Sequence, residues 1–70
     1  MIERQPVSSS NIKSIGHDPD EKRLEVEFKD GAVYSYSPVE KADHEALMGA
    51  KSIGSHFHAN IKGQFKHVRH

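Results

Sequence analysis

Cysteine is absent from the 70-residue chain. No disulfide framework, thiolate metal site or cysteine nucleophile is therefore available, and the sequence suits a reducing compartment as well as an oxidising one. Tryptophan is absent too, and three Phe with two Tyr form the whole aromatic complement, so few rings can be spared from a core. There is no run of about 18 apolar residues to cross a bilayer. The opening Met1-Ile2-Glu3-Arg4-Gln5-Pro6 lacks the apolar stretch of a secretory signal, so a cytoplasmic protein without membrane contact is expected. Length excludes most enzymes. A chain of this size buries only about 60% of the surface it exposes when unfolded, which allows one domain with a thin core.

Net charge is also absent, but the formal zero conceals an asymmetry. Residues 1–45 hold ten carboxylates against six cations, net −4, whereas residues 46–70 hold Lys51, Lys62, Lys66 and Arg69 with no carboxylate, net +4. His56, His58, His67 and His70 lie in the same segment and add charge on mild acidification. A segment of this kind either attracts phosphate or neutralises the acidic half of its own domain.

Residues 1–10 end in Ser8-Ser9-Ser10 without periodicity and read as a disordered lead-in. From Ile12 to His17 a short strand is expected, then a turn at Asp18-Pro19-Asp20-Glu21. Arg23-Leu24-Glu25-Val26-Glu27-Phe28 alternates apolar and charged residues, the pattern of a strand with one face on a core. Ala32-Val33-Tyr34-Ser35-Tyr36 returns as a third strand. Two hairpin registers compete. A two-residue Asp30-Gly31 loop places Tyr34 and Tyr36 beside Glu25 and Glu27. A three-residue Lys29-Asp30-Gly31 loop pairs Val26 with Tyr34 and Leu24 with Tyr36, gathering the large residues on one face. Burying each aromatic contributes about 2 kcal/mol, which selects the three-residue loop.

Ser37-Pro38-Val39-Glu40 has the form of a helix start, with a Ser cap, Pro at the first helical position and Glu completing a capping box. Val39, Ala42, Ala46 and Ala50 fall on one stripe with Leu47 at its border, Met48 falls opposite, and Gly54 is the expected stop. A second short helix is expected from Ser55 to about Lys62, with Ile53, Phe57 and Ile61 at intervals of four and Gly63 ending it. Gln64 to His70 reads equally as an added edge strand or a tail. Together these elements describe an α+β domain over residues 11–70: a three-stranded antiparallel meander packed by one capped helix plus a short C-terminal helical segment.

Catalytic and metal patterns are not met. His56 and His58 stand about 200° apart on a helix and cannot share an ion there. No nucleophile elbow frames the serines, and Gly49, Gly54 and Gly63 are too widely spaced to cradle a phosphate. The expectation is a protein that is not an enzyme, without metal, cofactor or small-molecule substrate. What remains is a basic segment interleaved with Phe57 and Phe65, in which Lys51, Lys62, Lys66 and Arg69 are candidate phosphate contacts and each Phe is either an exposed stacking ring or a cap on the thin core.

The ordered set Ser9-Ser10-Asn11-Ile12, Ile15-Gly16-His17-Asp18-Pro19, Leu24-Glu25-Val26-Glu27-Phe28, Gly31, Tyr34-Ser35-Tyr36, Val39, Leu47, Ala50, Ser52, Gly54, Phe57, Ile61 and Gly63 resembles the KTSC domain. That family is named for its occurrence at the C-terminus of some lysyl-tRNA synthetases and also occurs as a free-standing small bacterial or phage protein. The Tyr-x-Tyr at its centre matches Tyr34 and Tyr36. The chain departs from the family pattern at His17, where an aromatic is common, at Pro38-Val39, where the order is often reversed, and at Ile53, where a Lys is usual. The resemblance implies a small module that binds RNA, either tRNA or a single strand; Tyr34 and Tyr36, mainly structural on the chosen hairpin register and stacking surfaces if their rings are exposed, complete the candidate nucleic-acid-binding residues. The alternative is a protein-interaction module, for a second copy or another protein, with Met48 and any exposed Phe as anchors.

Overall fold

The computed structural model describes residues 3–70. Five strands and two helices follow in the order β1 (Gln5–Pro6), β2 (Ile12–Asp18), β3 (Arg23–Phe28), β4 (Val33–Ser37), α1 (Lys41–Met48), α2 (Ile53–Asn60) and β5 (Lys66–Arg69). The strands form one antiparallel sheet in chain order. The expected α+β class and the central meander are present, but the sheet has five strands and not three. The two extra strands are the edges. Gln5 and Pro6 pair with Ile15 and Ser14, and the Val7 N–H donates to the Lys13 carbonyl at 3.1 Å. Backbone pairing and the packing of Val7 on the core thus occupy a stretch whose composition suggests only a lead-in; Met1 and Ile2 lie outside the described residues.

The three-residue hairpin loop is the one adopted. Val26 faces Tyr34 and Leu24 faces Tyr36, the Phe28 N–H donates to the Ala32 carbonyl at 2.8 Å, and Gly31 takes φ +96°, a conformation that glycine adopts without a Cβ clash. In β2 the apolar residues Ile12 and Ile15 are three apart, which in a regular strand would put them on opposite faces. A bulge between Ile12 and Ser14 absorbs one residue, so both isoleucines reach the core and the Ser14 hydroxyl turns to the other face, donating to Glu27 Oε1 at 2.9 Å.

Both helices cover the apolar face. Ile12, Ile15, Leu24, Val26 and Tyr36 from the sheet join Val39, Leu47, Phe57 and Ile61 in one buried cluster. Each fully buried aliphatic or aromatic side chain there contributes about 1.5–3 kcal/mol. The start of α1 differs from the expectation. Ser37 continues β4, pairing with Lys66, so it cannot cap a helix; the cap is Glu40, whose N–H donates to Asp43 Oδ2 at 3.3 Å. Val39 is anchored first, its N–H donating to the Lys22 carbonyl at 2.6 Å and its carbonyl accepting from His17 Nε2 at 2.6 Å. This shift turns Ala42 and Ala46 outward and leaves Leu47 as the buried residue of α1. The second helix starts at Ile53, two residues before the expected Ser55, because the Ser52 hydroxyl accepts the Ser55 N–H at 3.4 Å. Gly54 therefore lies in its first turn, where an added Cβ would come within 3.3 Å of Ser9 Oγ. Among the described residues no helix is long and apolar enough to cross a membrane.

Candidate nucleic-acid interface

Alternation along β4 sends Tyr34 and Tyr36 to the same face, the one that carries the core. Pairing with β5 then sets Arg69 beside Tyr34 and His67 beside Tyr36. No residue of β5 is buried, so the helical layer stops short of this strand and leaves a groove over β4 and β5. The groove encloses about 510 Å³ and is lined by Tyr34, Tyr36, Phe28, Phe57 and the polar residues Asp30, His58, Lys62, His67 and Arg69 among others. Its floor is a train of rings. Phe57 meets Tyr36 edge-on at 5.3 Å, Tyr36 stacks on Tyr34 at 6.4 Å, and Phe28 meets Tyr34 edge-on at 5.8 Å. The His67 ring lies 5.9 Å from both tyrosines.

The walls supply charge. Lys62 follows the C-cap of α2, its N–H donating to the Phe57 carbonyl at 2.8 Å, and Gly63 at φ +86° turns the chain towards β5. The Arg69 guanidinium stands 5.9 Å above the Tyr34 ring centre, near the outer limit of a cation–π contact. Among the described residues neither Lys62 nor Arg69 belongs to an ion pair. Asp30 is the one carboxylate of the lining, and its Oδ1 is engaged by the Ala32 N–H at 3.0 Å. Burial pushes the Tyr36 phenol above its ordinary 10.0, with the adjacent Tyr34 adding to the rise. On the opposite face of the sheet Glu25 meets Arg4 at 3.6 Å and Arg23 at 4.0 Å.

The groove brings together Tyr34, Tyr36, Lys62 and Arg69 of the six candidate residues. It does not include Lys51, which lies between the helices, or Lys66, which alternates to the other face of β5 from His67 and Arg69. Phe28, Asp30, His58 and His67 join the lining without having been assigned to it from the sequence, and Phe57, weighed there between stacking and core, lines the groove as a buried core residue. For His67 a signal existed, since it shares the two-residue spacing of Arg69 just as the tyrosines share theirs.

A second, shallower cavity of about 420 Å³ lies by the start of α1, lined by His17, Pro19, Lys41, His44 and Glu45. The His17 and His44 rings stack at 4.9 Å. Burial pulls the His44 imidazole below its ordinary 6.5, His17 pulls the same way, and Glu45 opposes both.

A family model described as the KTSC domain matches residues 8–65. An uncharacterized protein of Stutzerimonas stutzeri is 41% identical over 63 residues, covering 90% of this chain and 89% of that one. A lysine–tRNA ligase of Nostoc sp. is 41% identical over 58 residues, which are 83% of this chain but 10% of the ligase. Among solved structures, the crystal structure of a KTSC domain protein from Yersinia pestis superposes with a TM-score of 0.94 at 44% identity, covering 100% of this chain and 99% of that one.

Proposed function

The chain belongs to the KTSC domain family, and on that premise we propose that it is a small non-enzymatic RNA-binding module of the cytoplasm whose contact surface is the groove over β4 and β5. One observation carries the reading: the fold brings two tyrosines and two cations without an ion-pair partner among the described residues, Tyr34, Tyr36, Lys62 and Arg69, into a single open groove although the cations lie far along the chain from the tyrosines. Cations beside exposed ring surface are what a nucleic-acid strand needs, phosphate contacts for affinity and ring faces for stacking. The match to a segment of a lysine–tRNA ligase gives the same direction. A docking surface for another protein has less support. Of its anchors on the sequence alone, Met48 packs against the core, as do Phe28 and Phe65, and Phe57 is buried within it; Val68 is the exposed large hydrophobic residue among those described.

Titration with tRNA and with a single-stranded RNA at low and then rising salt tests the proposal. Binding in the micromolar range is expected, as for recognition dominated by phosphate contacts. Loss of binding in the Lys62→Gln/Arg69→Gln double variant supports the groove. A parent protein that binds neither RNA at low salt overturns the reading.

A further inference from the structure

Resting on the RNA-binding reading, we infer that the groove is a seat for one unpaired nucleotide. Its base takes the place of the Arg69 guanidinium on the Tyr34 ring, and the released guanidinium and Lys62 hold the adjoining phosphates.

Three features of the site lead there. The contact surface of the groove is its floor, where Phe28, Tyr36 and His67 each place a ring within 6.4 Å of the Tyr34 ring. In a duplex each base face is covered by its neighbours, so only an unstacked base presents a face that can reach rings at the bottom of a groove. The enclosed volume of about 510 Å³ is in the range that holds one small ligand, about 300–1,000 Å³. The charge count agrees with the volume. Lys62 and Arg69 are the two permanent cations of the lining, enough for the phosphates flanking a single nucleotide, whereas a long backbone track would need a row of cations and Lys51 and Lys66 stand elsewhere.

Arg69 is the part that moves. At 5.9 Å from the ring centre it is loosely held, and it sits on a strand with no buried residue. A base that displaces it gains a ring contact, and the freed planar guanidinium gains a bidentate phosphate partner.

The chain has no Trp and only two Tyr, both in the groove, so intrinsic tyrosine fluorescence reports its occupancy. The probes are a ten-nucleotide single-stranded RNA, the same RNA annealed to its complement, and free nucleoside monophosphates. Saturable quenching by the single strand is expected, with affinity for the duplex at least about tenfold weaker, the lower part of the range for loss of one stacked base. Arg69→Gln, at an exposed strand position, should weaken single-strand binding, and Tyr34→Phe should preserve it. Equal binding of duplex and single strand without quenching overturns the seat and leaves RNA binding standing. Monophosphates that bind as tightly as the oligomer uphold the seat and overturn RNA as its source. Absence of binding by every probe overturns both.

Discussion

Tyr34 and Tyr36 stand two residues apart on one face of β4, yet the packing divides their roles. Tyr36 is 4% exposed and meets the ring of Phe57, whereas Tyr34 is half-buried and has the Arg69 guanidinium above it. Truncating Tyr36 to Ala should cost about 3 kcal/mol or more, as for other buried aromatics. Tyr34→Ala should cost less, and urea midpoints of the two variants give the ordering. Their ionisation separates them as well. The raised phenol of Tyr36 means that the folded state favours its protonated form. Its contribution to stability is complete below the unfolded value of 10.0 and is lost as the pH rises through the higher folded value. Alkaline unfolding followed at fixed urea should therefore be less steep in Tyr36→Phe than in the parent. The shared face of the two rings was legible in the sequence, because the alternation of Leu24, Val26 and Phe28 with a glycine at position 31 leaves one hairpin register that gathers every large residue except Val33 on one face. Their neighbours were not. Arg69 reaches Tyr34 only through the pairing of β5 with β4, a contact 35 residues long in sequence that no local pattern dictates.

Each helix depends on a different cap, and substitutions separate the two. Ser52→Ala removes the hydroxyl that accepts the Ser55 N–H and should lower stability by about 1 kcal/mol. Ser37→Ala should leave the start of α1 intact, since that start is Glu40 with Asp43; equilibrium melts of the two variants check both. Ser37 misleads because the same residue satisfies two local patterns, the last position of a strand and the cap before a proline, and only the partner strand decides between them. The attachment of α1 should respond to pH through His44, whose ring stacks on that of His17. Because His44 is held below 6.5, the neutral imidazole is the form that the fold favours. Its contribution is present above pH 6.5 and is lost as the pH falls through the lower folded value. Stability measured from pH 7.5 down to 5 should decline less in His44→Gln than in the parent. The edge strands were the least legible elements. Lys66-His67-Val68-Arg69 is exposed at every position, and Gln5-Pro6 is polar and short, so neither carries the one-sided burial that makes a strand visible in sequence.

At the scale of the whole molecule, the −4 and +4 segments of the chain do not map onto two separate surfaces, since Lys62 and Arg69 line the groove with Asp30 while Lys66 alternates to the opposite face of the sheet. Glu25 and Glu27 lie opposite the groove, with Arg4 and Arg23 against Glu25. The charge reversal was readable as a count, but which cations act together was not, since four basic residues in sequence resolve into two in the groove and two outside it. Salt dependence measures that division. Two phosphate contacts to a single strand give a slope of log affinity against log salt of about −1.4, from about −0.7 for each contact, where four would give about −2.8. Lys51→Gln and Lys66→Gln should leave the measured slope unchanged, and Lys62→Gln should make it shallower by about 0.7.

The chain-order sheet, with β1 and β5 as its two edges, also fixes how the domain can be attached to something else. Four inter-strand steps separate those edges, about 19 Å at roughly 4.8 Å per step. A fusion partner or surface linker joined ahead of β1 therefore departs from the edge remote from the groove. One joined after His70 departs beside Arg69, where the His70 N–H is already bound to the Val33 carbonyl at 2.8 Å. A domain immobilised through its β1 side should present the groove outward, and the same domain immobilised through its β5 side should shade it with its own anchor.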